Sequence, residues 1–165
     1  MRAPVSQAQD IVLDTHIDLV PLMQQLCVDA NFEGQRAGKQ FQFSTDTDRA
    51  IVDSSSDLLH KSFDNILRNA LQHTAENSQV KVTLASSDDH YLVTIEDQGP
   101  GVPDQDVDNI FTEFYRVDTA RARESGGYGL GLAIARRAIR QHGGEVSAQN
   151  TGTGLQITIR LPIPH

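Results

Sequence analysis

The chain is expected to adopt an α+β fold, a two-layer sandwich in which a mixed, mostly antiparallel sheet of about five strands packs on about three helices. Residues 57–74 place Leu59, Phe63, Ile66, Leu67 and Ala70 on one helical stripe, with Lys61, Asp64, Arg68 and Gln72 turned away. Residues 80–84 and 91–95 alternate apolar and polar positions around the turn-forming run Ser86-Ser87-Asp88-Asp89, as a hairpin does. A last alternating run carries Leu155, Ile157, Ile159 and Leu161, which supplies a further half-buried strand.

The remaining elements follow in order. Residues 1–10 are polar, contain Pro4 and lack periodicity, so 1–12 read as a tail and 13–165 as one domain. Weak alternation over 15–20 predicts a short strand leading into a helix with Leu22, Leu26 and Ala30, broken by Gly34 and Gly38. Phe41-Gln42-Phe43 and residues 50–53 predict two more short strands, and Ser56 is a candidate N-cap for the helix that follows. Beyond the hairpin come a Gly/Pro turn and an amphipathic piece over 110–115. The Arg- and Gly-rich stretch 116–129 is expected to be mobile. A helix over 130–142 is stopped by Gly143-Gly144, and strands over 145–149 and 154–161 close the chain.

Composition narrows the class. Lys and Arg number 14 against 22 Asp and Glu, a net charge of −8, which argues against a nucleic-acid binder with its basic field. With 38% hydrophobic residues the chain can build a core, and no run approaches the ~18 apolar residues that span a bilayer. The single cysteine, Cys27, can form no internal disulfide and reads as a small buried apolar residue.

Three constellations carry chemistry. Asp97 ends a strand whose Val93 and Ile95 share its face, so the alternation that buries those two delivers a carboxylate into apolar space. Such a group needs donors; an exocyclic amino group such as that of adenine is one, and Gly99 and Gly101 leave room for a flat base. An ordinary strand-end turn is the alternative. Asn65 and Asn69 stand one helical turn apart at the border of the apolar stripe, where their carbonyl oxygens can ligate a hard cation held mainly by phosphates and water; two partly exposed helix asparagines are the bland reading. Ser125-Gly126-Gly127-Tyr128-Gly129-Leu130-Gly131-Leu132 opens a helix and offers backbone N–H groups to an anion, without the Lys-Ser/Thr ending of a P-loop. Arg116, Arg121 and Arg123 precede it and bring positive charge, or form a solvated basic patch.

Taken together and in this order, these features resemble the ATP-binding catalytic domain of sensor histidine kinases, the Bergerat fold shared with gyrase, Hsp90 and MutL. The resemblance covers residues 48–162. It rests on an N box, Asn65-Ile-Leu-Arg-Asn69-Ala-Leu-Gln-His73, a G1 box, Asp97-Gln-Gly99-Pro-Gly101, an F box, Phe111-Thr-Glu-Phe114-Tyr115-Arg116, and a G2 box, Gly127-Tyr128-Gly129-Leu130-Gly131-Leu132. Within the family, the run from Phe114 to Gly127 looks most like an envelope-stress sensor kinase.

The resemblance implies that Asp97 binds the adenine amino group and that Asn69 ligates Mg2+ with Asn65 supporting the phosphates. Asn65, Asn69 and Arg116 are then the catalytic set. Gly99, Gly101, Phe114, Tyr115, Arg121, Arg123 and the G2 box complete the ATP site, under a lid formed by residues 116–128. Tyr128 stands where a small residue is common, and Gln72-His73 where a basic residue followed by Tyr is common; His73 is expected to replace the lost phosphate contact in part. Asn65 also occupies the place where ATPases of this fold carry a water-activating Glu, which favours phosphoryl transfer over hydrolysis. None of the six histidines has the context of a phosphoacceptor. The chain is therefore expected to be the catalytic lobe of a longer, membrane-anchored kinase, its cytoplasmic part, with residues 1–12 the remnant of a dimerisation helix. Its implied partners are ATP, the dimerisation and histidine-phosphotransfer domain of the same kinase, and a response regulator receiver domain. The fragment is expected to be monomeric and the full protein a homodimer. An anti-sigma-factor type of serine kinase, a stand-alone ATPase and a nucleotide-sensing interaction module are the alternatives.

Overall fold

A computed structural model describes residues 13–55, 57–112 and 130–164. The tail 1–12, the candidate cap Ser56 and the stretch 113–129 lie outside the described residues. Among the described residues, seven strands and three α-helices follow one another: β1 Thr15–Asp18, α1 Leu19–Gly34, β2 Gln40–Thr45, β3 Ile51–Ser54, α2 Leu58–His73, β4 Gln79–Ser86, β5 His90–Glu96, α3 Leu130–Gln141, β6 Glu145–Asn150 and β7 Leu155–Pro162. Short 3-10 segments cover Gln35–Ala37 and Asp104–Phe111.

Five strands form one mixed sheet in the order β2-β4-β5-β7-β6. Only β2 and β4 run parallel, because the chain between them passes through β3 and α2; the other three pairings are antiparallel. The expected two-layer sandwich is the one observed. Period two decides which face is inward: Val80, Val82 and Leu84 on β4, Val93 and Ile95 on β5, and Ile157, Ile159 and Leu161 on β7 are buried. Helix α2 lays Leu59, Phe63, Ile66 and Leu67 on this face, flanked by Met23 and Leu26 of α1 and by Leu132, Ala135 and Ile139 of α3. Cys27 is buried among them as expected, and burial pushes its thiol up to about 11. At the open edge of the sheet, the Asn31 side chain takes both the N–H and the C=O of Phe41, as a neighbouring strand would.

The first strand is shorter than the alternation over 15–20 indicated, and it does not join the main sheet. Asp18 stops it: its Oδ1 accepts Val20 N–H at 3.1 Å, capping α1, and Ala50 N–H at 3.0 Å. That second bond seats β1 antiparallel on β3 as a separate two-stranded ribbon. The ribbon is tied to α3 through His142. Its Nδ1 donates to Ala138 O at 2.7 Å, so in the neutral ring Nε2 is an acceptor, and it lies 3.3 Å from Ser54 Oγ and 3.4 Å from the Ser55 N–H donor. A second proton would set an N–H against the Ser55 N–H.

Burial holds both His142 and His73 below their ordinary value of 6.5. A lowered histidine contributes stability that is complete above its unfolded pKa and is lost as pH falls through the folded one. The urea midpoint is therefore expected to drop between about pH 7.5 and 5.5, and the drop to shrink in His142→Gln. An unchanged slope in that variant would remove His142 from the account.

Candidate nucleotide-binding site

Helix α2 brings the first three candidates to one side of itself. Asn65, Asn69 and His73 recur every four residues, so they form a column beside the apolar stripe. Asn69 is 9% exposed, and its side-chain NH2 has no hydrogen-bond partner among the described residues. A buried amide whose NH2 has no partner among the described residues fits a ligand, and a half-turn of the side chain presents the carbonyl oxygen instead. His73 is buried, with Nδ1 bonded to the Asn69 backbone oxygen at 2.9 Å. It therefore stands at the inner end of α2, beside Asp97, whose charge opposes the lowering of the imidazole pKa by burial. Asn65 is partly exposed and meets the first turn of α3, where a Cβ on Gly131 would lie 3.8 Å from its Cγ.

Asp97 is 3% exposed. One oxygen, Oδ1, accepts Gly99 N–H at 2.9 Å and Leu155 N–H at 3.1 Å, while Asp97 N–H donates to Leu155 O at 3.0 Å. Oδ2 accepts no hydrogen bond among the described residues. Desolvation raises the carboxyl pKa, and the two backbone N–H groups and then His73 counteract it. A ligand N–H offered to Oδ2 would further favour the carboxylate. Asp97 is thus a rigidly held acceptor with one unused side.

Two glycines make this placement possible. A Cβ on Gly99 would sit 2.2 Å from His73 O, and a Cβ on Gly154 would sit 2.0 Å from Asp97 O and 2.9 Å from Asp97 Oδ1. Gly101 has φ +69°, the left-handed region that suits glycine, and a Cβ there would meet Asn150 Oδ1 at 2.7 Å. Gly154, Leu155 and Asn150 are contributors that sequence reasoning missed. The signal available was Gly152-Thr153-Gly154 before the last strand, but nothing local says that this turn lies against Asp97.

The other predicted residues divide. Leu132 is 2% exposed and its side chain belongs to the core, so it can offer a ligand only its backbone. Phe111 is buried at the end of the 3-10 helix, under the Arg136 guanidinium at 5.3 Å from the ring centre. Phe114, Tyr115, Arg116, Arg121, Arg123, Gly127, Tyr128 and Gly129 lie outside the described residues, and Leu130 is described as the first residue of α3.

The family model for histidine kinase-, DNA gyrase B- and HSP90-like ATPases matches residues 54–165. The chain belongs to this family. The sensor histidine kinase CpxA of Escherichia coli K12 is 35% identical over 159 residues, covering 96% of this chain and 34% of CpxA. WalK of Bacillus subtilis is 40% identical over 114 residues, 67% of this chain and 19% of WalK. The chain thus spans about a third or less of these relatives' length. Among solved structures, the catalytic domain of histidine kinase ThkA aligns with a TM-score of 0.79 at 25% identity over 90% of this chain and 97% of that one. A mycobacterial sensor kinase, MprB, aligns with 0.78 at 28% identity, again over 90% and 97%. What the chain shares with its kinase relatives is therefore the catalytic-domain unit, in the two-layer architecture expected of a histidine-kinase-like ATPase.

Substituting Gly154 by Ala forces a backbone contact that cannot relax by a rotamer change. The variant is expected to lose about 1–3 kcal/mol of stability by urea titration. Ala at the loop position Gly152, whose Cβ would meet nothing within 4 Å, is expected to cost less despite its positive φ.

Proposed function

We propose that this chain is the catalytic lobe of a longer sensor histidine kinase: it binds Mg-ATP and transfers the γ-phosphate to a histidine on a separate dimerisation and phosphotransfer domain. The observation that carries the reading is the buried Asp97 carboxylate, whose Oδ2 has no partner among the described residues, beside a glycine-lined loop and near the column of Asn69 and Asn65. Oδ2 would accept from the exocyclic amine of adenine. Gly99 and Gly101 would leave room for the ring, and the Asn69 amide would supply one oxygen to a magnesium ion otherwise held by phosphates and water. Bound Mg2+ would neutralise charge on the phosphates during transfer.

The helix carries no carboxylate at the place of Asn65, one turn before Asn69. Asp64 is turned to the exposed side, where it accepts from Arg68 Nε at 3.0 Å. A water molecule beside the phosphates would find no carboxylate at the place of Asn65, whereas a nucleophilic imidazole brought by another domain needs only positioning and charge neutralisation. The family's F and G2 boxes suggest that Phe114, Tyr115, Arg116, Arg121, Arg123, Gly127, Tyr128 and Gly129 complete the site, with residues 116–128 as its lid. His73 supports Asp97 and Asn69 in this scheme rather than reaching the phosphates.

Membership of the larger kinase carries further proposals. No helix among the described residues is long and apolar enough to cross a membrane, and CpxA is about three times as long as the segment it shares with this chain. The lobe would be the cytoplasmic part of a membrane-anchored homodimer, monomeric when isolated, and would pass phosphate through its acceptor domain to a response regulator.

Calorimetric titration with a non-hydrolysable ATP analogue is expected to give 1:1 binding that strengthens with Mg2+. Asp97→Asn should lose about 10- to 100-fold in affinity, the worth of a hydrogen bond to a charged group. Asn69→Ala should lose most of the magnesium dependence. Mixed with the acceptor domain and labelled ATP, the lobe should produce an acid-labile phosphohistidine. Acid-stable label, or none, would overturn the kinase reading.

A further inference from the structure

The turn joining β6 to β7 grips the loop 97–104 at two points. At one end, Leu155 O accepts Asp97 N–H and Leu155 N–H donates to Asp97 Oδ1. At the other, the Asn150 side chain holds the loop: Nδ2 donates to Val102 O at 2.6 Å and to Asp104 Oδ1 at 2.9 Å, while Oδ1 accepts Val102 N–H at 3.0 Å. Asn150 and Leu155 are themselves paired across the hairpin. The turn between them is closed by Thr151 N–H on Gly154 O at 3.0 Å. The two grips therefore belong to one rigid piece, and the distance between the Asp97 carboxylate and the backbone of Gly101–Asp104 is set by that piece.

The Asn150 amide uses its carbonyl oxygen and its NH2 group on one loop, a pattern that hydroxyl or carboxylate side chains cannot reproduce. Gly101 is what lets the loop come this close, since any side chain there would strike Asn150 Oδ1. Val102, directly held by both amide atoms, is 6% exposed and packs into the core. The loop it anchors then opens the 3-10 helix Asp104–Phe111.

We infer that Asn150 is a positioning residue for nucleotide binding: it fixes the glycine loop in register with Asp97, so that the acceptor and the space for the base are presented together. This rests on the function proposed above. Asn150 need not touch the nucleotide; it acts through Val102 and Asp104.

The test uses a paired substitution. Asn150→Asp keeps an acceptor for Val102 N–H but turns a carboxylate toward Val102 O and Asp104. Affinity for the non-hydrolysable ATP analogue, measured well below the melting temperature, is expected to fall about tenfold or more. Adding Asp104→Asn returns a donor to the pair and is expected to recover at least half of that loss on a logarithmic scale. Amide exchange at Gly101 and Val102 should accelerate in the single variant and slow again in the double one. Parent-like affinity in Asn150→Asp, or no recovery in the double variant, would overturn the inference while leaving the proposed function intact. If Asn150→Asp does not fold, Asn150→Ala replaces it: weakened binding with faster exchange at Val102 supports the inference, and parent-like binding overturns it. Failure of the parent chain to bind the analogue at all would overturn both.

Discussion

A carboxylate in an apolar interior is costly to keep unless donors reach it, and the burial of Asp97 constrains everything around it. The sheet supplies the donors. Strand β7 must lie beside β5 in the register that points Leu155 N–H at Oδ1, and the chain after β5 must turn sharply enough for Gly99 N–H to reach the same oxygen. Both approaches work only because Gly99 and Gly154 carry no side chain at contacts of 2.2 Å and 2.0 Å. With Oδ1 saturated and Oδ2 unused among the described residues, the carboxylate is held at a fixed angle.

The rest of the site follows from what α2 must do for the core. Its apolar stripe covers the sheet, and that packing fixes the rotation of the helix about its own axis. Asn65, Asn69 and His73 consequently have no freedom to choose another direction. Asn69 and His73 are buried because they border the stripe, and the bond from His73 Nδ1 to Asn69 O joins one helix turn to the next. Gly131 lets the opening turn of α3 approach Asn65. The candidate site thus lies at the edge of a structural interface, which keeps it rigid without elements of its own.

Electrostatics divide the molecule in a consistent way. The interior tolerates two histidines as neutral rings, each with Nδ1 on the carbonyl four residues earlier, at the ends of α2 and α3. Charged side chains elsewhere pair at the surface: Arg68 with Asp64 and Glu33, and Arg140 with Glu145. Asp97 is the exception, a carboxyl group kept inside, and its cost is met by backbone donors before any side-chain charge.

Local pattern alone was enough for α2, for the β4–β5 hairpin and for β7, because amphipathic periodicity records which face of an element is buried, and that is a property of each segment by itself. It also singled out Asp97, since Val93 and Ile95 predict the face on which the next alternate residue falls, and it placed Asn65 and Asn69 on one side of a helix. It could not reveal that β1 leaves the main sheet to pair with β3, a choice made by Asp18 reaching Ala50 N–H across 32 residues. Nor could it join Gly154, Leu155 and Asn150 to a carboxylate more than fifty residues earlier. Strand order and the contacts across it depend on non-local pairing, whose partners leave no periodic trace in either segment. Sequence marked Asp97, Asn65 and Asn69 as the candidates; tertiary structure decided which backbone groups hold Asp97 and which of its oxygens has no partner among the described residues.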